Sequence, residues 1–239
     1  MVEMAEDWPV VAVCIVTYDR EREIKAVIRA LREHFHYTGS IKWHIADDSS
    51  PQGYLGRITN EFPEIKFTHT ITKRAGWGAN VNKALGYLSN YPYTFLIEDD
   101  YVAKRDLDIT TGVALMEAKA DIAMVRYDGI AGHDTLILRL EEADSRVGKF
   151  SYMRIDKDSP HLNVYSNRPS LRHTRFHECY GWYPEGVSLG DTETQFAHRV
   201  RDKKHCGDVA ILWDGIPRAF DHIGKSRQGS EADKETVKK

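Results

Sequence analysis

Three consecutive acids, Glu98, Asp99 and Asp100, close the apolar segment Tyr93-Thr94-Phe95-Leu96-Ile97. The segment is β-branched and aromatic enough to read as a buried strand. Carboxylates at the end of such a strand cost several kcal/mol each when nothing compensates them. Hard divalent ions such as Mn²⁺ or Mg²⁺ take oxygens from one or two carboxylates and complete their shell with substrate phosphates. The triplet therefore suits a metal–diphosphate site. It equally suits a turn in which Asp99 or Asp100 caps a following helix, and the stretch alone does not separate the two.

The surrounding pattern decides what could position these acids. Residues 10–16 form a continuous apolar run suited to a central parallel strand, and Ile24, Val27, Ile28, Leu31 and Phe35 then recur at helical spacing over 21–35. Strand and helix alternate again through 41–46, 54–60, 65–70 and 78–88 before the acidic strand. Repeated β–α units predict a doubly wound, mostly parallel sheet with its ligand site at the carboxyl ends of the strands. The polar residues that follow each strand then converge: Thr17, Tyr18 and Asp19; Asp47 and Asp48; Lys73 and Arg74; Glu98 to Asp100. The second half is less regular, with helices expected over 106–119 and 190–201, a strand over 122–127, paired strands over 136–140 and 149–155, and short strands over 210–213 and 218–222.

A net charge of -3 argues against indiscriminate nucleic-acid affinity. No apolar run approaches the ~20 residues of a membrane span, and the acidic start Met1-Val2-Glu3 is unlike a signal peptide, so a cytoplasmic protein is expected. Cys14, Cys179 and Cys206 are odd in number, widely spaced and without a CxxC pair, which predicts buried free thiols. No linker separates the halves. A short extension over 1–8 precedes one domain over 9–224, nucleotide-binding in 9–105 and acceptor-binding in 106–224, and 225–239 is a polar tail.

Four motifs stand in order: Val13-Cys14-Ile15-Val16-Thr17-Tyr18-Asp19-Arg20, Ile45-Ala46-Asp47-Asp48-Ser49-Ser50, Gly76-Trp77-Gly78-Ala79-Asn80, and Glu98-Asp99-Asp100. In order and spacing the chain resembles the nucleotide-sugar glycosyltransferases of the GT-A fold, family 2 above all. The resemblance implies a Rossmann-like α/β domain that uses Mn²⁺ or Mg²⁺ to move a sugar from a UDP-sugar to an acceptor hydroxyl with inversion. Family 2 members usually carry Asp-x-Asp at the strand end, and this chain has Glu-Asp-Asp.

That likeness distributes the roles. Thr17, Tyr18 and Asp19 flank base and ribose, with Tyr18 offering a stacking face; Asp47 or Asp48 accepts the uracil N3–H; Lys73 and Arg74 neutralise phosphate or ribose-side oxygens; Gly78 lets backbone approach the donor. Asp100 or Asp99, Asp100 favoured, and a late histidine, His222, hold the metal with Glu98 in support, and Lys225 and Arg227 grip the departing diphosphate. Asp191, in Gly190-Asp191-Thr192-Glu193, matches the acid that deprotonates the acceptor, with Glu193 as runner-up. Asp191 is also a good helix cap. Arg172, Arg175, Trp182 and Tyr183 offer charge and stacking faces to an acceptor, a glycan or other small hydroxyl-bearing molecule by default. Because arginines contact phosphates and aromatics stack on extruded bases, a 5-hydroxymethylpyrimidine in DNA is the alternative acceptor, as for some viral enzymes acting in a host cytoplasm. A sugar nucleotidyltransferase would want a glycine-rich basic loop after the first strand, which Thr17-Tyr18-Asp19-Arg20 is not, and a non-catalytic binding module would lack the acids.

Overall fold

Ile24, Val27, Ile28 and Leu31 share one face of the first helix, which carries Glu21 and Glu23 in its first turn and Arg32 and His34 in its last, in keeping with the helix dipole. That helix packs on a strand with no polar face. In the computed structural model, which describes residues 7–127, 136–160, 162–212 and 219–224, the chain runs β1 (Val11–Thr17), α1 (Glu21–His34), β2 (Phe35–His36), β3 (Ile41–Asp47), α2 (Tyr54–Glu61), β4 (Phe67–Ile71), α3 (Gly76–Tyr87), β5 (Tyr93–Glu98), β6 (Tyr101–Ala103), β7 (Leu107–Asp108), α4 (Ile109–Ala118), β8 (Ile122–Arg126), β9 (Leu138–Ser145), β10 (Gly148–Ile155), β11 (Ser170–His173), α5 (Thr174–Tyr180), α6 (Leu189–Asp202), β12 (Asp208–Ile211) and β13 (Phe220–His222). The tail assigned to 225–239, and with it Lys225 and Arg227, lies outside the described residues.

Nine strands form one sheet in the order β4-β3-β1-β5-β11-β8-β12-β10-β9. Only β11 and β10 run against the others, as their antiparallel pairings require. The α/β fold with a mostly parallel central sheet is thus the one expected. Residues of β1 alternate between two cores: Val11, Val13 and Ile15 pack with Ile24, Val27 and Ile28 of α1, whereas Ala12, Cys14 and Val16 pack with Val81, Ala84 and Leu85 of α3. Helices on both faces explain why the strand reads as an unbroken apolar run.

Two expectations are corrected. The segment around Arg172 and Arg175, expected to face an acceptor, is instead strand β11, wedged between β5 and β8, followed by α5. Cys179 and Cys206 are not free thiols: they form a disulfide, with Cα atoms 5.8 Å apart, that ties α5 to the turn after α6. Cys14 is free, and burial pushes its thiol up to about 12. The disulfide closes a loop with a sequence separation of 27, which restricts the unfolded chain by about 3.5 kcal/mol. The double replacement Cys179→Ser and Cys206→Ser should lower urea-unfolding stability by that amount, and reduction should have no further effect on the variant.

Candidate active site

Strand β5 delivers its three acids to the crevice where the sheet order departs to either side of β1, the ligand position of doubly wound sheets. Backbone bonds fix the floor: Asp99 N–H donates to Val16 O at 3.0 Å, and Asp48 N–H to Thr17 O at 3.1 Å. The Asp99 carboxylate accepts from Thr17 Oγ1 at 2.8 Å, Tyr18 N–H at 3.3 Å and the Arg20 guanidinium at 3.2 Å. Thr17 Oγ1 also shares a hydrogen bond of 2.5 Å with Tyr54 Oη.

Asp100 is 3% exposed. Its Oδ2 meets the Arg20 guanidinium and lies 3.2 Å from His222 Nε2, while its Oδ1 is buried without a hydrogen-bond partner among the described residues. The residues that bring His222 there come from far along the chain. Strand β13 pairs with β6, Ile223 N–H donates to Asp100 O at 2.8 Å, and the His222 ring stacks on Tyr101 at 4.8 Å. Gly224 lies directly against the carboxylate, since a Cβ there would overlap Oδ2 and stand 2.9 Å from Cγ. An orphaned buried carboxylate oxygen beside an imidazole is a donor set that suits a hard cation. Among the described residues no group of three or more His, Cys, Asp or Glu side chains converges to hold a metal. A cation here would take two protein ligands and draw the rest of its shell from phosphate and water.

Burial is the main reason Glu98 and Asp99 resist ionisation. It raises Glu98 to about 8, helped by the charges of Asp100, Asp99 and Glu193, and raises Asp99 to about 7 against the pull of Arg20 and Thr17. Both carboxyls therefore bind protons more tightly in the folded chain than in the unfolded one. The stability they contribute is complete below the ordinary carboxyl range and is lost as pH rises through about 7 and 8. The melting temperature in chelator should fall between pH 6 and pH 9, and Glu98→Gln should flatten that fall.

At the neighbouring strand ends, three loops each hold one non-glycine residue at positive φ: Asp19 at 49°, Ser49 at 67° and Arg74 at 52°. Such conformations are uncommon and gather at ligand sites. The Arg74 guanidinium lies 3.5 Å from the centroid of the Tyr18 ring, so these two expected residues do meet. Asp19 and Lys73 are exposed beside them, and Asp19 N–H donates to Ser50 Oγ at 2.8 Å. Asp47 is buried and accepts from Ser50 N–H and Oγ. Asp48 accepts from Thr72 Oγ1 at 2.6 Å, Ala75 N–H at 2.9 Å and Gly76 N–H at 3.1 Å, and so binds β3 to the loop that opens α3. Gly78 turns away from the crevice: a Cβ there would overlap the Pro184 carbonyl oxygen.

A cavity of about 480 Å³ opens beside the acids at the end of β5, and its lining includes Glu98, Tyr101, Asn167, Arg168, Glu193 and His222. Glu193 is oriented there by Asn167 N–H at 2.8 Å and Ser166 Oγ at 3.1 Å. Asp191 is exposed and engaged elsewhere: its carboxylate accepts from Ser188 Oγ at 2.7 Å, and Ser188 Oγ, the N-cap of α6, accepts from Asp191 N–H at 3.1 Å.

Three of the expected acceptor residues point inward. Arg172 donates to Ser170 Oγ and Tyr183 Oη, Arg175 to Met116 O and Ile122 O, and Tyr183 is buried against Tyr165. Trp182 is exposed but lines a different cavity. Sequence reasoning missed Arg20, Tyr101 and Asn167. Arg20 alone left a signal, a basic residue three positions beyond the strand end and opposite the acids.

The profile of the family described as glycosyl transferase family 2 matches residues 12–180, well over half of the 239. The chain belongs to glycosyl transferase family 2. Solved structures of this fold agree. S. aureus TarS 1-349 superposes with a TM-score of 0.63 at 13% identity, over 88% of this chain and 59% of that one. GalNAc-T7 with UDP, GalNAc and Mn²⁺ gives 0.66 at 12% identity, over 98% and 47%. The mannosyltransferase PcManGT from Pyrobaculum calidifontis, in complex with GDP-Man and Mn²⁺, gives 0.55 at 14% identity, over 87% and 59%. At such identities the likeness is one of fold, and this family 2 chain spans about half to three-fifths of each of those proteins. No curated protein matches it by sequence. No described helix is long and apolar enough to cross a membrane.

Proposed function

We propose that this family 2 domain transfers a sugar from a nucleotide diphosphate donor, UDP favoured, to an acceptor hydroxyl with the help of Mn²⁺ or Mg²⁺. The observation that carries the reading is the buried, unpartnered Oδ1 of Asp100 beside His222 and Arg20. Asp100 and His222 hold the cation. Bound there, the cation offsets the charge of the diphosphate as it leaves. Tyr18 and Arg74 present a cationic aromatic face to the base, and Arg20, which already neutralises two acids, stays within reach of the phosphates. GDP-Man and UDP bound with Mn²⁺ in the two neighbours support a nucleotide-sugar donor in general.

Inverting displacement needs a carboxylate on the face opposite the leaving group. The sequence ranks Asp191 above Glu193, and the geometry supports the reverse order. Glu193 shares the cavity with Glu98 and His222, whereas Asp191 belongs to the helix cap. Glu193→Gln should reduce transfer by about a hundredfold or more while leaving donor binding intact, and Asp191→Asn should act mainly on stability. If Asp191→Asn removes transfer and Glu193→Gln does not, the assignment reverses.

A glycan or small hydroxyl-bearing molecule is the acceptor this cavity supports. The DNA alternative leaned on a basic, aromatic segment whose Arg172 and Arg175 are committed to internal bonds. Incubation with a panel of UDP- and GDP-sugars and Mn²⁺, read as sugar release and saturable donor binding, tests the whole proposal. Failure of every donor in both readouts would remove it.

A further inference from the structure

A second cavity, of about 380 Å³, opens at the opposite end of the sheet, between the close of α3, the start of α5 and the chain at Gly181 and Trp182. Thr94, which lines it, precedes Glu98 by four residues on β5, a separation of about 13 Å along an extended strand. Helix α3 begins at the nucleotide-side loop and brings Leu85 and Leu88 to this cavity as it ends. The two cavities share no lining residue.

Two residues of its lining, Arg172 and His177, each carry a buried polar atom without a hydrogen-bond partner among the described residues. Arg172 is 1% exposed, with Nε donating to Ser170 Oγ at 3.0 Å and Nη1 to the Tyr183 hydroxyl, both neutral acceptors. The rings of Tyr165, Phe176 and Tyr183 lie 5.5, 5.7 and 5.8 Å from its guanidinium carbon. Nη2 has no hydrogen-bond partner, and among the described residues no carboxylate forms an ion pair with Arg172. A guanidinium buried without a counter-charge is expensive, and a family of aromatic faces offsets only part of that cost.

The second atom is Nε2 of His177, also buried and unpartnered. Nδ1 of the same ring lies 3.2 Å from Gly181 O, and burial and the charge of Arg172 hold the imidazole neutral by pushing it down to about 3. The proton therefore sits on Nδ1, donated to the carbonyl, and Nε2 is a bare acceptor. The lining of one cavity thus holds a cationic donor and a neutral acceptor close beneath its surface, where a small side-chain rotation would bring each to a ligand, together with Leu85, Leu88 and the half-exposed indole of Trp182. Water alone can satisfy the imidazole; only an anion neutralises the guanidinium. A single positive charge and the exposed acid Glu178 among the lining residues suit a monoanion better than a phosphate.

We propose that this cavity is a second small-molecule site, which takes a monocarboxylate on an apolar body, with the carboxylate on Arg172 Nη2 and a hydroxyl or N–H of the ligand donating to His177 Nε2. Its volume lies within the range of about 300–1,000 Å³ usual for small-molecule sites.

Calorimetric titration of the full chain with phenyllactate, its neutral amide and inorganic phosphate tests the assignment. Phenyllactate should bind saturably, the amide at least about tenfold more weakly because it forfeits the charge-assisted contact, and phosphate not at all. Arg172→Met should remove binding. Since that change touches the core, Ser89→Trp, at an exposed lining position, provides an occluding variant whose circular dichroism should be unaltered while binding is lost. No saturable binding of phenyllactate, equal affinity for the amide, tighter binding of phosphate, or full binding to folded Ser89→Trp would each overturn the proposal and leave the cavity to ordered water.

Discussion

Asp100→Asn should cut metal-dependent turnover of a UDP-sugar by about a thousandfold and weaken Mn²⁺ binding in parallel. The amide keeps the size of the carboxylate, so the backbone bond from Ile223 N–H to Asp100 O is undisturbed. What disappears is charge on an oxygen that nothing else in the fold engages. Stability should move the other way. Glu98 and Asp99 both feel the Asp100 charge as a repulsion, and removing one of several crowded acids relieves it, although Arg20 gives up a partner. An activity lost while the melting temperature in chelator is held or rises is the signature of a residue kept for function at the expense of stability. Unaltered Mn²⁺ affinity in the variant, measured by calorimetry, would place the cation elsewhere.

Gly78→Ala should destabilise the fold by about 3 kcal/mol, the largest effect expected of any one-carbon change outside the acidic site. An added methyl would overlap the Pro184 carbonyl oxygen and lie 3.2 Å from its carbonyl carbon, and backbone cannot rotate aside as a side chain does. The same strip of chain is already stitched to α3 by Asn82, which donates to Tyr183 O at 3.0 Å and accepts from Tyr183 N–H at 2.9 Å. Pushing Pro184 away would shift the chain that leads into α6, so acceptor turnover should fall along with stability. Gly76, two residues earlier, is a control: its φ of 84° penalises alanine through backbone strain while a Cβ there meets nothing within 4 Å. Urea denaturation of the two variants separates crowding from strain.

The first half of the fold was legible because each of its strands and helices announces itself by period. Val11 to Val16 alternate between two apolar cores and leave no polar face, and α1 shows one apolar stripe. Strand β11 was not legible. Its four residues, Ser170, Leu171, Arg172 and His173, contain one aliphatic side chain, and what makes Arg172 tolerable in the sheet is Ser170, Tyr183 and three aromatic rings brought by tertiary structure. A run of arginines and histidines reads as solvated surface when those partners are unseen. The disulfide was hidden for a related reason, since Cys179 and Cys206 are 27 residues apart and meet only because α5 and the turn after α6 pack together.

Within the site, the acids, Thr17, Tyr18, Arg74 and His222 were named from sequence and do surround one crevice. The choice between Asp191 and Glu193 could not be made there. Two positions apart on a helix, side chains diverge by about 200°, so one of the pair had to face the cavity and the other the cap, and only the docking of α6 says which.

The pairing of β13 with β6 has a bearing on how the protein comes into being. The acids belong to residues 98–100, yet His222 and the close cover of Gly224 arrive more than a hundred residues later. A growing chain that has already built β1, β3 and β5 would carry the acidic cluster paired only with Arg20, able to hold itself together without grasping free metal tightly. On the proposed reading the cation site is therefore completed late in synthesis, when the last described strand docks.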